Sequence, residues 1–336
     1  MLNAPLPDLA SALRLQSQSQ TVRANLEQAS QELTTGLTAD VRGLTNGNLA
    51  PVFNIDRELA GIDLVLQDLG LAGARAASAQ TALGVVAERG NTLGVEIMDA
   101  ASRGDPISRD SLLNTAPGIL HNMVGSLNTQ FAGQSLFSGT ETGVAPLASA
   151  DQIIAEVSAL LATATTPAAA QAAIDTYFDT PGGGFQTNIY AGSDTDAAGV
   201  ALDADNRLTY LPRADDPAIR NALKAVATIA AADAAGFSGD DVAYNAFLVE
   251  AGNDLQKAAE GVIGVRATLG QAEERIANAS ESRSIERTTL ITARNDLIGV
   301  DQFDAAARLS ELETQLESLY LVTGRLSGLN LTNFLR

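Results

Sequence analysis

The sequence predicts a mainly α-helical protein, in which long helices from both ends of the chain flank a central module of mixed α and β structure. Aromatic residues make up only 4% of the 336 residues, tryptophan is absent and alanine is abundant. Small apolar side chains favour long, closely packed helices over sandwiches with bulky aromatic cores. With 46% hydrophobic residues, the chain can form a sizeable core in two or three domains.

The N-terminal segment carries a stripe of mostly apolar residues at alternating spacings of three and four. This spacing keeps the side chains on one face of a helix, as in a coiled-coil seam. Thr34-Thr35-Gly36 follows and supplies a C-terminal stop. The stripe consists of Ala12, Leu15, Ser19, Val22, Leu26, Ala29 and Leu33.

A second series of apolar and small residues begins after Pro51 and continues to about Arg103. As a single helix it is much longer than the usual globular helix. Its glycines would weaken an exposed helix, so we attribute them to close approach of a neighbouring helix. Pro106 then breaks the helix, and a further helix is predicted from Ser108 to Gln130.

Residues from about 145 to 240 have a different pattern, which predicts an inserted α+β module. Short capped helices are expected to begin near Asp151 and at Thr166-Pro167. The segments "QTNIY" (186–190) and "RLTYLP" (207–212) alternate in polarity and are predicted as strands, separated by turns rich in aspartate and glycine.

Helical periodicity returns at Asp241 and continues toward Leu297, and a final helix is predicted from about Asp301. This last helix has its own seam at spacings of three and four, so we expect it to pair with the first helix. We predict that both seams and the apolar C-terminus form an assembly interface: Leu15, Val22, Leu26, Leu33, Leu309, Leu312, Leu316, Leu319, Leu326, Leu331, Phe334 and Leu335.

The charge balance disfavours several classes of partner. Forty acidic residues and 21 basic residues leave a formal charge of −19, which repels nucleic acid and anionic lipid surfaces. The absence of cysteine excludes disulfides and thiolate metal sites. The N-terminus does not have the pattern of a secretory signal peptide, and no apolar stretch is long enough to predict a membrane-spanning helix.

Residues typical of catalysis are scarce. The only histidine, His121, has no matching acid or nucleophile in the sequence pattern, and we interpret it as a packed or half-exposed helical residue. The glycines at 182–184 are not followed by the Gly-Lys-Ser/Thr of a phosphate-binding loop. We therefore predict no enzymatic activity, no cofactor and no small-molecule substrate.

One acidic cluster, residues 194–205, resembles part of a calcium-binding loop. Asp194, Asp196, Gly199 and Asp205 fall at positions 1, 3, 6 and 12 of such a loop. However, Ala198 stands where an oxygen ligand is needed, and aspartate replaces the bidentate glutamate. The cluster is a weak calcium candidate beside the alternative of a solvated acidic turn.

Two further stretches carry a resemblance to a known family. "FAGQSLFSGTETGVAP" (131–146) resembles the segment that precedes the variable domain of the hook-associated protein 3 family, the filament-side hook–filament junction proteins of the flagellin superfamily. Residues 298–336 are similar to the terminal helix of the same family, and 269–276 to the helix before it; "LEQASQELTTGL" (26–37) matches more loosely. The motif residues are Gly133, Leu136, Phe137, Ser138, Gly139 and Thr140.

The resemblance, which covers about residues 10–145 and 241–336, implies a flagellin-like helical bundle or coiled coil. In this arrangement the inner rod comprises residues 1–45 and 300–336, the next layer comprises 46–145 and 241–299, and the inserted module, 146–240, faces outward. The resemblance also implies export through the flagellar secretion apparatus without signal cleavage. The expected partners are the hook-side junction protein, flagellin, copies of the chain itself in a ring, and an export chaperone.

Two other functions are compatible with this pattern. The chain could be a flagellin that builds the filament, since flagellins share the helical termini. It could also be a secreted helical-bundle binding protein, in which case the terminal helices would be stably folded in the monomer. A hydrolase in the central module would need a nucleophile and a base, which the sequence does not offer.

Overall fold

The computed structural model describes residues 6–203 and 205–334, with side-chain surroundings for 13–203 and 205–325. The protein is mainly α-helical, as predicted. The helices are α1 (Leu6–Thr35), α2 (Val41–Leu44), α3 (Ala50–Arg103), α4 (Pro106–Leu127), α5 (Ala150–Thr163), α6 (Pro167–Asp179), α7 (Pro217–Ala230), α8 (Asp241–Ile298) and α9 (Gln302–Phe334). Two short antiparallel hairpins join β1 (Gln130–Phe131) to β2 (Gln134–Ser135) and β3 (Val200–Ala201) to β4 (Arg207–Leu208).

The chain divides into two compact units. The terminal unit comprises residues 1–64 and 283–336, and the central unit comprises 65–282, so that α3 and α8 contribute to both. In the described part of the chain, both clusters of buried apolar side chains lie in the central unit. The layer boundaries predicted after residues 45, 145, 240 and 299 concern an assembly and stay a prediction.

The breaks between the long helices follow the sequence closely. α3 ends at Arg103, and Gly104 adopts a φ of +63°, which glycine tolerates without strain. Asp105 then caps α4, because its carboxylate accepts hydrogen bonds from the amides of Ile107 and Ser108. The other predicted boundaries are also confirmed. α1 ends at Thr35, α6 begins at Pro167 after the cap Thr166, and α8 begins at Asp241.

Glycines allow α3 and α8 to approach closely in the central unit. A Cβ atom on Gly94 would lie 3.0 Å from the carbonyl oxygen of Gly252, and one on Gly252 would lie 2.9 Å from that of Gly94. Gly90 is similarly crowded, with a leucine methyl 3.3 Å from its Cβ position. The predicted explanation by close helix approach is wrong for Gly61 and Gly70, where nothing lies within 4 Å.

One predicted strand of the central module is wrong. Residues 186–190 do not pair as a strand: Phe185–Ile189 forms a single π-helical turn, and only Tyr190 bridges to Leu147. Phe185 and Ile189 are the buried residues of this turn, four positions apart, whereas a strand would bury alternate residues. Burial of the two side chains against the module's core therefore overrides the local alternation.

The second predicted strand is only partly confirmed. Of residues 207–212, only Arg207–Leu208 forms ladder pairs, with Val200–Ala201. The next helix, Pro217–Ala230, was not predicted, although Asp216 caps it and Pro217 occupies its first turn. No described helix contains an apolar stretch long enough for a transmembrane segment.

We expect Gly94→Ala to destabilise the central unit by about 1–3 kcal/mol, because the added methyl group must displace the backbone of α8. Gly70→Ala is the matched control on the same helix. It adds a methyl group in open space and should raise the free energy of unfolding by up to about 1 kcal/mol. Urea unfolding of both variants measures the difference, and equal effects would contradict the close approach of the two helices.

Candidate assembly interface

The two terminal helices, α1 and α9, pack against each other in opposite directions. Their polar contacts show the direction, since Glu32 binds Arg308 whereas Arg23, earlier in α1, binds Tyr320, later in α9. The predicted seam residues are the less exposed positions of both helices: Val22 is buried, and Leu15, Leu26, Leu33, Leu309, Leu312, Leu316 and Leu319 are half-buried.

Part of the predicted interface lies beyond the described side chains. Leu335 lies outside the described residues, and the structure does not describe the side-chain surroundings of Leu326, Leu331 and Phe334. The pairing of α1 with α9 agrees with the seam pattern. That the same residues also bind neighbouring subunits stays a prediction.

The helix pair leaves a patch of α9 uncovered. Tyr320, Leu321 and Val322 are 50%, 61% and 47% exposed, although the adjacent Leu319 is half-buried. Leu13, on α1, is 58% exposed. Neighbouring exposed apolar side chains mark candidate contact surfaces. We term residues 320–322 the outer apolar patch; within it Tyr320 contacts Arg23, whereas Leu321 and Val322 are exposed.

The turn after α1 joins the two terminal helices through main-chain hydrogen bonds. Gly36 ends α1 with a φ of +69°. The amide of Thr38 donates to the carbonyl of Ile298 at 2.8 Å, and the amide of Val300 donates to the carbonyl of Gly36 at 3.0 Å. The end of α1 and the start of α9 are thus held side by side.

A buried carboxylate lies beside this turn. The Glu32 side chain is 3% exposed, and its Oε2 accepts from Arg308 Nη1 at 3.2 Å. Its Oε1 accepts from Gln28 Nε2 at 3.0 Å and from the Ala39 amide at 3.1 Å. The Gln28 hydrogen bond, followed by the Ala39 amide and the Arg308 charge, lowers the pKa of Glu32, against the opposing effect of burial. Sequence reasoning missed this residue, because it resembles any polar position on a helix.

The other helix pair of the terminal unit is joined by ion pairs. Asp56 binds Arg294 at 2.7 Å and Asp63 binds Arg287 at 2.6 Å, one heptad apart on α3 and α8. All four side chains are at least 31% exposed, so the pairs add little stability. The same segments carry the exposed apolar residues Phe53, Leu64 and Ile285.

The motif segment begins with a tight hairpin in the central unit. Ala132 and Gly133 form its two-residue turn, with φ angles of 51° and 76°. Two successive positive φ angles are typical of the turns that match the twist of paired strands, and they favour glycine. Gly133 of the motif therefore has a conformational role.

The rest of the motif is a buried anchor. Leu136, Phe137 and Ser138 are at most 1% exposed. The carbonyl of Phe137 accepts from the Ala214 amide at 2.8 Å, and that of Ser138 accepts from the Ser193 amide at 2.9 Å. These bonds connect the motif to two later segments of the module through the backbone.

The position of Gly139 requires glycine, because both its backbone conformation and its surroundings exclude a side chain. Its φ is +63°, and a Cβ atom would lie 2.3 Å from the Thr195 carbonyl oxygen. That oxygen accepts a hydrogen bond from the Thr140 amide at 3.1 Å. The motif therefore stabilises the central unit through its backbone conformation and main-chain hydrogen bonds.

Arg213 completes this anchor and also contacts two residues of the calcium candidate, Asp194 and Asp196. Its guanidinium donates to the Asp194 carbonyl at 2.7 Å, to the Asp196 carboxylate at 2.6 Å and to the Asp215 carboxylate at 2.7 Å. Asp205 is exposed. Among the described residues no group of three or more histidine, aspartate or glutamate side chains is placed to hold a metal ion. Arg213 thus pairs with the Asp196 carboxylate, and calcium binding by the cluster stays a prediction.

His121 lies on α4 as a half-exposed residue. Its Nδ1 is 2.8 Å from the Pro117 carbonyl oxygen, and its Nε2 is 3.1 Å from the Asp151 carboxylate at the start of α5. The contact with Asp151 links α4 to α5. The prediction that His121 has no matching acid is therefore wrong, because the fold brings α5 against α4 at a residue distant in sequence; the prediction that His121 is a half-exposed helical residue is confirmed.

We expect Gly139→Ala to lower the free energy of unfolding of the central unit by more than about 2 kcal/mol, through left-handed backbone strain and the clash with Thr195. Ser138→Ala is the control. The Ser138 hydroxyl is buried without a hydrogen-bond partner among the described residues, so its removal should cost less than about 1 kcal/mol. Chemical unfolding compares the two variants, and a milder effect at Gly139 than at Ser138 would contradict the anchor.

Acid should loosen the terminal helix pair through Glu32. Because folding lowers the pKa of Glu32 from its ordinary value of 4.5, the carboxylate stabilises the pair fully above that pH. This contribution is lost as the pH falls through the lowered value. Hydrogen exchange of α1 and α9 between pH 6 and 3 should show declining protection, and Glu32→Gln should remove this part of the pH dependence.

Glu27→Gln provides the control for the acid experiment, because Glu27 is an exposed residue of the same helix. It should retain the pH dependence of the unchanged chain. If Glu32→Gln and Glu27→Gln gave the same exchange profile, the buried carboxylate would not be responsible.

Comparison with known proteins gives matches to a family model and to solved structures. A family model of the bacterial flagellin C-terminal helical region matches residues 253–335, which extend from α8 into α9. A solved structure described as that of a flagellar hook-associated protein from Vibrio parahaemolyticus has a similar fold, with a TM-score of 0.50 and 14% sequence identity over 73% of this chain and 95% of that chain. No curated protein matches the chain by sequence. Residues 253–335 thus match a flagellin-type C-terminal region, and the fold of the chain resembles that of a flagellar hook-associated protein.

Proposed function

We propose that the chain is a non-enzymatic axial protein of the bacterial flagellum, which forms the junction between hook and filament as a ring. The observation that carries this proposal is the outer apolar patch on the terminal helix pair. Leu321 and Val322 are exposed on a helix whose seam packs on α1. A neighbouring subunit of the ring would supply the missing cover.

The physical mechanism is folding coupled to assembly. The terminal unit has few fully buried residues in its described part, among them Val22, Ala29, Val52 and Ile62. Burying one more leucine-sized side chain contributes roughly 1.5–3 kcal/mol. Several such side chains per neighbour would strongly favour the assembled state by mass action. The exposed apolar side chains of the terminal helices thus contribute to stability only where neighbouring subunits bury them.

The junction assignment, as opposed to a filament subunit, rests on the resemblance of residues 131–146 to the hook-associated family. The match of the flagellin C-terminal region to 253–335 suits either role. A junction protein should be present as about one ring per flagellum, whereas a flagellin would dominate sheared filaments. Its partners at the junction would be the hook-side junction protein and flagellin, with an export chaperone before assembly.

A secreted helical-bundle binding protein is the alternative from a different class. In that case the terminal helices would resist protease in the purified monomer as well as the central unit does. Assembly-coupled helices would be cleaved first, because the described terminal unit has no buried apolar cluster.

Deleting the gene tests the junction role directly. We expect electron micrographs of the deletion strain to show hooks without filaments. Residual or shorter filaments would indicate a flagellin, and normal flagella would contradict both roles. Complementation with the unchanged gene should restore filaments.

Complementation with Leu321→Ser/Val322→Ser should fail to restore filaments, because the outer apolar patch can no longer be buried against a neighbour. The control, Glu313→Ser/Thr314→Ser, changes two exposed polar residues on the same helix and should restore motility. Circular dichroism and secretion of both variants check that folding and export are unchanged. Normal filaments in the patch variant would contradict the proposed interface.

A further inference from the structure

The leucine seam of the terminal pair does not by itself define one alignment of the two helices. In α9, Leu309 and Leu312 are followed one heptad later by Leu316 and Leu319. Sliding α9 by seven residues in one direction therefore brings Leu316 and Leu319 to the positions of Leu309 and Leu312, with Thr323 at the position of Leu316. Apolar seams with such repeats are known to need a polar contact to select one register. The burial of the seam alone therefore discriminates only partly between the observed and the slipped arrangements.

The ion pair of Glu32 with Arg308 occurs once along this seam. A slip of seven residues in one direction places Glu32 opposite Gln315, and a slip in the other direction places it opposite Asp301. The first alternative leaves the carboxylate without a cation, and the second puts two acidic groups together. Since the Glu32 side chain is 3% exposed, either outcome leaves a buried charge uncompensated.

We propose that Glu32 is the positioning residue that fixes the axial register of α1 on α9. It is suited to this task because its two oxygens bind three different segments: Gln28 on α1, the Ala39 amide after the turn and Arg308 on α9. The side-chain contact of Arg23 with Tyr320 is exposed, so it contributes less to the choice.

The main-chain pairing after α1 is the competing explanation. The bonds from Thr38 to Ile298 and from Val300 to Gly36 also hold the end of α1 near the start of α9. They use backbone groups only, however, and the same groups would pair at other positions of the two segments. The ion pair differs, because α1 has no second carboxylate and α9 no second guanidinium one heptad away from Glu32 and Arg308.

Register matters for any role of the terminal pair in which identical surfaces must repeat. In a symmetric assembly every subunit must present the same patch at the same height. A chain with mixed registers would offer neighbours mismatched surfaces. The inference goes beyond the proposed junction role, because it concerns the pair itself and is tested without flagella.

Distance measurement between two spin labels tests the proposal. The chain has no cysteine, so Gln18→Cys and Ser310→Cys, both at exposed positions, provide the only attachment points. Double electron–electron resonance on the full chain in sucrose, which favours burial, should give one narrow distance. Glu32→Leu should add a second distance that differs by about 10 Å, one heptad at 1.5 Å per residue.

Glu27→Leu is the matched control, because it adds the same apolar side chain at an exposed position of α1. It should keep the single distance. One unchanged distance in Glu32→Leu would overturn the proposal and assign the register to the main-chain pairing. A broad distribution in the labelled chain with Glu32 intact would overturn it as well.

Circular dichroism would show whether Glu32→Leu loses helix. If it does, the same distance measurement on Glu32→Gln tests the proposal instead. This variant keeps the shape and one acceptor oxygen but removes the charge. A second distance about 10 Å from the first supports the proposal. A distance distribution identical to that of the unchanged chain contradicts it.

Discussion

The pairing of the first helix with the last is the constraint on which the rest of this protein depends. α1 and α9 each carry one apolar seam, and each can cover it only with a partner. The two partners come from opposite ends of the sequence, so the pairing depends on contacts between residues about 300 positions apart. Between them in sequence, α3 and α8 flank the central module.

The two units are stabilised by different means. The central unit has a continuous apolar core, to which Phe137, Phe178 and Phe247 contribute fully buried rings. The terminal unit depends on half-buried seams, a few exposed ion pairs and the buried carboxylate of Glu32. Such a distribution suits a molecule in which one part is complete in itself and the other is completed by its neighbours.

The motif that resembles the hook-associated family has a structural explanation here. Gly133 and Gly139 supply positive φ angles, and the carbonyls of Phe137 and Ser138 bind amides from later segments. Its residue types are therefore dictated by backbone conformation and burial. This explains why the segment is recognisable in sequence although it offers no catalytic group.

The sequence by itself determined the helical class, the ends of the long helices near Arg103 and Asp241, and the scarcity of catalytic residues, because periodicity and helix-breaking residues act locally. Only the tertiary structure decided that 186–190 forms a helical turn, and that Gly94 meets another backbone. It also decided that Glu32 is buried. Periodicity identifies the face that a helix buries. What covers that face depends on contacts between residues distant in sequence, which no local pattern records.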